Sequence, residues 1–138
     1  MENALKIRPC LVMVTLLAFA ACAETTTQAP AVPDTDPLAG SEIRAVVDGG
    51  PYDVRIFDGR DAGTVARLQW DFDAGTVSGS FETADGETGN FSTPIRIQDD
   101  RLCVGEGDAG CHTIYAINGG FLEVNADGTV HAISRVSS

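Results

Sequence analysis

Along residues 66–72 apolar and polar side chains alternate without a break: Ala66, Leu68, Trp70 and Phe72 on one side, Arg67, Gln69 and Asp71 on the other. Only an extended strand, whose side chains point alternately to opposite faces, keeps those four apolar groups together. Asp73-Ala74-Gly75 supplies turn chemistry and leads into residues 76–82, where Val77, Gly79 and Phe81 share a face. The same grammar runs on in both directions. Ile43, Ala45 and Val47 alternate with polar neighbours, and Asp48-Gly49-Gly50-Pro51 turns into Tyr52, Val54 and Ile56. Residues 90–97, 101–104, 111–117, 121–125 and 129–136 follow, separated by Gln98-Asp99-Asp100, a loop at 105–110, Asn118-Gly119 and Asp127-Gly128. Asn-Gly and Asp-Gly tolerate the positive φ angles that two-residue hairpin turns demand. No stretch after the leader sustains a 3.6-residue period, so strands alone are expected.

Eight or nine short strands in sequential hairpins form an antiparallel meander. A sheet this small hides its edges most economically by closing, so the expected fold is an all-β, small antiparallel meander β-barrel of 8–9 strands. A β-sandwich is the alternative. A short phrase recurs three times, Gly63-Thr64-Val65, Gly75-Thr76-Val77 and Gly128-Thr129-Val130. Its spacing is uneven, which makes it repeated turn chemistry and not a structural repeat.

The first 41 residues belong to something else. Lys6 and Arg8 precede an apolar run from Leu11 to Phe19, which ends in Ala20-Ala21-Cys22. With Ala20 and Ala21 the run is about 11 residues, too short to span a bilayer, which takes ~20, and it suits the apolar core of a secretory signal helix. Residues 23–41 are rich in Ala, Thr, Pro and Asp, with Pro30, Pro33 and Pro37 spaced along them. That composition reads as a disordered, semi-extended linker reaching on the order of 50 Å. The expected division is a signal peptide at 1–21, a lipidated cysteine and flexible Pro/Thr linker at 22–41, and the β-barrel domain at 42–138.

The segment Phe19-Ala20-Ala21-Cys22 resembles a bacterial lipoprotein signal, in which small residues precede a cysteine that becomes the lipidated N-terminus. Phe19 stands where such signals usually carry leucine. The resemblance implies acylation of Cys22, and several acyl chains anchor stably where one binds only reversibly. With Ala23 and not Asp after the cysteine, it also implies the outer membrane of a Gram-negative envelope, on its periplasmic or surface side. The competing frame is cleavage after Ala23, which releases a soluble periplasmic or secreted protein. A second resemblance covers residues 70–81, Trp70-Asp71-Phe72-Asp73-Ala74-Gly75 onward, which look like the hairpins of small β-barrel domains in transferrin-binding-protein-like surface lipoproteins. It implies architecture only.

Charge and cysteines narrow the function classes. Beyond residue 21 the chain has seven arginines, no lysine and 19 acidic residues, a net charge of −12. Such a surface repels phosphate backbones, which removes nucleic acid as a partner, and it offers no polybasic patch to anionic lipid. Membrane contact then rests on the lipid at Cys22, and a cationic envelope or exported protein is the partner class the charge favours. The domain is expected to be monomeric. Cys103 and Cys111 are an even pair in an exported chain and are expected to form a disulfide. No catalytic residue, metal ligand or cofactor is expected. The Asp58-Gly59-Arg60-Asp61 and Glu106-Gly107-Asp108 loops lack the ligand spacing of calcium sites. His112 and His131 fall in strands without a nucleophile motif, and an enzyme would need one of them beside an acid in a concave pocket. Strands this short favour a barrel interior filled by side chains. If the mouth were open instead, Leu68, Trp70 and Phe72 would line an apolar cavity for a small ligand. The sequence thus points to a lipid-anchored, non-catalytic binding module, with carriage of a small apolar ligand as the alternative.

Overall fold

The computed structural model describes residues 28–138; the signal segment and Cys22 lie outside the described residues. Eight strands form a closed antiparallel barrel in chain order. They are β1 Gly49–Ile56, β2 Val65–Asp71, β3 Thr76–Glu82, β4 Thr88–Gln98, β5 Arg101–Val104, β6 Cys111–Ile117, β7 Gly120–Val124 and β8 Val130–Val136. Closure comes from β1 pairing with β8, Tyr52 opposite Val136 through to Ile56 opposite Ala132. The expected small barrel is therefore the fold. The turn chemistry sits where it was read: Ile117 pairs with Gly120 across Asn118-Gly119, and Asp99 and Asp100 both take positive φ between β4 and β5. In the recurring phrase, the three glycines have φ of 86°, 71° and 86°, and each precedes the first residues of a strand.

One expected strand is a helix. Residues 43–47 were assigned by the alternation of Ile43, Ala45 and Val47, but α1 spans Gly40–Val47. Ile43 and Val47 are fully buried and Val46 is partly so, while Ala45 is exposed. That is the i, i+3, i+4 face of an amphipathic helix. Ile43 and Val47 satisfy either period, and Ala45, small enough to sit on either side, concealed the difference. At the N-terminus, the Glu42 carboxylate accepts from the Ala39 amide at 3.2 Å, which is one half of a capping box.

α1 closes one end of the barrel. Its Ile43 and Val47 join Tyr52, Trp70, Ile95, Leu102, Ile114 and Phe121 in the main core. Polar contacts pin it to loops at that end. The Tyr52 hydroxyl donates to the Val46 carbonyl (2.7 Å), the Gly40 amide donates to Asp100 (2.8 Å), and Arg44 pairs with Asp73. The approach to α1 is also packed. The Leu38 amide donates to the Ile114 carbonyl (2.8 Å), and Val32 lies on a second cluster of Leu122, Val124 and Val130 outside the barrel. These residues fall in the stretch whose composition reads as linker, yet each supplies an apolar group to a cluster. β7 is consequently covered on both faces, with Phe121 and Glu123 inside and Leu122 and Val124 outside.

Because α1 covers that end of the core and Ile43 is fully buried there, Ile43→Ala should destabilise the domain by about 2–5 kcal/mol, the range for truncating a buried aliphatic side chain. Urea denaturation followed by circular dichroism checks this; Ala45→Ser, on the exposed face, should leave the midpoint nearly unchanged.

Candidate functional site

The opposite end of the barrel is open. The loops after β1, β3, β5 and β7 meet there, and the interior behind them is a cavity of about 650 Å³. Side-chain filling was the expectation for so short a barrel. The space arises because several inward or rim positions carry small residues, among them Ala66, Thr64, Ala109, Gly110 and Ala132.

The cavity has two zones. Its wall is apolar, from Trp70 and Val77 toward α1, through Leu68 and Phe91, to Val54 and Phe81 nearer the mouth. Below it, Trp70 and Tyr52 meet Phe121 edge to face, with ring centroids 6.0 and 5.2 Å away. The Trp70 indole Nε1–H is buried and has no partner. Of the three residues expected to line a cavity, Leu68 and Trp70 do so. Phe72 does not; it sits at the closed end, with the Arg44 guanidinium 5.9 Å from its ring centre.

The rim is polar, and here the two histidines come together. His112, near the start of β6, and His131, on β8, stack in parallel with ring centroids 4.3 Å apart. His131 Nδ1–H donates to Asp58 Oδ1 at 2.5 Å. The other Asp58 oxygen accepts from Asn125 Nδ2, which also donates to Thr129 Oγ1 at 3.0 Å. Glu123 completes the group; its Oε1 lies 4.0 Å from His112 Nδ1, beyond hydrogen-bond reach, and that nitrogen is buried without a partner.

Backbone irregularity makes this constellation possible. Ala132 faces inward, so strict alternation would send His131 outward. The β7–β8 register slips by one residue at this point, with Glu123 opposite Ala132 but Val124 opposite Val130. His131 is the extra residue of that bulge, and it lines the cavity beside Ala132. Bulges commonly re-aim a side chain in this way. No residue pattern announces the slip, which is why period-2 reasoning left His131 as ordinary strand packing.

His112 is placed by the neighbouring disulfide. Cys103 and Cys111 are cross-strand partners on β5 and β6 and are bonded to each other, as expected. The loop they close is held further by Arg96, which donates to the carbonyls of Gly105 (2.9 Å) and Gly107 (3.0 Å). This bridge and clamp fix the rim next to the imidazole. Asp108 of that loop lies 3.8 Å from Arg96, and Asp58 of the other acidic loop turns to His131. Among the described residues no group of three His, Cys, Asp or Glu side chains is set to hold a metal ion.

Burial governs the protonation of the two innermost groups. It lowers the His112 imidazole to about 4, helped by the charge of His131 alongside. It raises the Glu123 carboxyl above the usual range, with His131 partly offsetting. Low polarity disfavours the charged form of both. No family model, curated protein or solved structure matches the chain.

These shifts give stability two opposing pH limbs. Unfolded His112 takes up a proton near pH 6.5 while the folded ring resists until about 4, so the unfolded state binds more protons in that window. Stability contributed by His112 is complete above the window and falls as pH drops through it, by at most about 3 kcal/mol. Glu123 acts in the other sense: its stabilisation is lost as pH rises through its elevated folded value. His112→Asn should flatten the limb between pH 6.5 and 4 in a series of urea midpoints, with the rest of the profile retained.

Proposed function

We propose that this domain is a non-catalytic binding module that takes a small amphipathic molecule into the barrel interior, the apolar part toward Trp70 and the polar part at the His131–Asp58 rim. The observation that carries this reading is the cavity itself. Its volume of about 650 Å³ falls in the ~300–1,000 Å³ range of small-molecule sites, and an apolar wall with a few convergent polar groups is their usual make-up. Capture of a cationic envelope protein, the other reading, draws on net charge alone.

A catalytic reading draws on one specific observation, the Asp58–His131 pair at a concave site. An aspartate that orients an imidazole is the positioning half of a general base. Against it, neither imidazole is hydrogen-bonded to a hydroxyl or thiol among the described residues. Binding without chemistry asks less of the geometry.

In this proposal the module is held on the envelope of a bacterium by acylation of Cys22, most simply at the outer membrane. The chain between Cys22 and Val32 then spaces an open-mouthed barrel from the bilayer.

Trp70, the single tryptophan, is the natural reporter. Nile red, a neutral apolar dye, should bind with about 1:1 stoichiometry and perturb Trp70 emission. Ala66→Phe, which fills the wall, should weaken Nile red by at least about tenfold while the thermal midpoint holds or rises. Unchanged dye binding in that variant would place the dye elsewhere and sink the cavity reading. For the anchor, Cys22→Ala should move the expressed protein from the membrane fraction to the soluble fraction and abolish palmitate labelling.

A further inference from the structure

We propose that the ligand carries an ammonium group, and that Glu123 is the counter-ion that receives it inside the mouth of the cavity. This rests on the reading that the barrel interior is the binding site.

The first argument is the charge inventory of the lining. Three carboxyl groups border the cavity, Asp58, Asp61 and Glu123, and no lysine or arginine does among the described residues. Even with a proton on His131, negative groups outnumber positive ones. An anionic head, such as that of a fatty acid or a phosphate ester, would meet carboxylates with no cation to oppose them. The chain as a whole is at −11, so its long-range field draws cations toward the mouth and turns anions away.

The three carboxyls are not equivalent. Asp58 already receives His131 and Asn125. Asp61 is well exposed and lies 3.9 Å from the Arg60 guanidinium. Glu123 is different: it lines the cavity, is only 6% exposed, and its neighbour His112 is too far to hydrogen-bond. A side chain of this kind in a packed barrel has a desolvation cost and no partner to offset it. Hydrophobic residues would fill the same position more favourably, and β7 carries them on either side in Leu122 and Val124. A buried acid that lines the cavity without a hydrogen-bonded partner is accounted for by a cation that arrives with the ligand.

Protonation supports the same assignment. The groups facing Glu123 are His112 from β6, His131 from β8, and Asp58 and Asp61 from the loop after β1. His112 supplies no positive charge above about pH 4. Burial favours the protonated form of the Glu123 carboxyl, and an ammonium beside it favours the ionised form. An amine therefore draws the ionisation of Glu123 to lower pH, and over the range in which the free carboxyl holds its proton the amine's affinity rises with pH. A neutral or anionic head has no such linkage.

Titration calorimetry of the intact domain with three probes of one shape tests the idea: 4-phenylbutylamine, 4-phenylbutanol and 4-phenylbutyrate at pH 7. The amine should bind at least about tenfold more tightly than the alcohol, and the carboxylate most weakly. In a pH series of the same titrations, the amine's heat should vary with the ionisation enthalpy of the buffer over the range in which the free Glu123 carboxyl is protonated, which reports proton release. Glu123→Gln should erase both the amine preference and the buffer dependence while the alcohol's affinity stays within about twofold. An alcohol or carboxylate that matches the amine overturns the proposal, as does an amine preference that survives in Glu123→Gln. Should that variant fail to fold, probe ranking and proton release in the unmodified protein still decide. Nile red separates the two levels. If the dye binds and the amine has no advantage, the ammonium assignment falls and the cavity reading stands; if the dye and all three probes fail, both fall.

Discussion

The pairing of β1 with β8 is the contact on which the rest depends. It joins the two ends of the meander, Tyr52 opposite Val136 and Ile56 opposite Ala132, and so converts a row of hairpins into a barrel with an inside. Without it, both strands would present unpaired backbone amides and carbonyls as open edges, and Tyr52, Val54 and Ala132 would face water. The same closure brings the loop after β1 against the start of β8, where the Phe57 amide donates to the His131 carbonyl at 2.8 Å. Asp58 and His131, 73 residues apart in the chain, meet because that seam exists. Fold stability and site assembly thus share one set of hydrogen bonds.

The two ends of the barrel are treated in opposite ways. At one end α1 brings Ile43 and Val47 onto the core, and Tyr52, Trp70 and Phe121 pack beneath it. At the other, small side chains and glycine leave the interior empty, and titratable groups gather at the rim. Polar groups with incomplete hydrogen bonding are costly wherever water is excluded. Here His112, Glu123 and Trp70 line one cavity, while Ser134, whose buried hydroxyl also lacks a partner, lies opposite Phe121 away from it. Local departures from a locally consistent sequence tend to mark places selected for something other than stability.

How much of this was legible beforehand can be traced residue by residue. β3, β5 and β6 begin and end where alternation and turn residues put them, because the period-2 signal and the Asp-Asp and Asn-Gly turns are local chemistry. The disulfide was legible too, since Cys103 and Cys111 are an even pair in a chain read as exported. α1 was not, because Ile43 and Val47 fit a helix and a strand equally well and only burial of Val46 separates them. Leu38 and Val32 were hidden by the Pro- and Thr-rich stretch around them; single apolar residues in such a stretch carry no periodicity. At the site, Leu68 and Trp70 followed from their shared face. Phe72 has the same parity but lies one pleat too far toward α1, a matter of position along the barrel axis that alternation does not encode. The His112–His131–Asp58–Glu123 group depends on closure, on a bulge and on a loop conformation, three non-local facts.

The bulge at His131 ties these strands of argument together. In regular register the imidazole would lie on the outer face of β8, Asp58 would lose its 2.5 Å partner, and the rim would hold three carboxyls without that ring beside them. The slip therefore does two things in one step: it gives Asp58 a hydrogen-bonded partner in His131, and it leaves Glu123 as the carboxyl that stays buried without one. A barrel built only for stability has no reason to interrupt a ladder between two strands that are otherwise in regular register. Together, the slip, the small residues around the mouth and the acid placed between Leu122 and Val124 are the features on which the proposed binding of a guest rests.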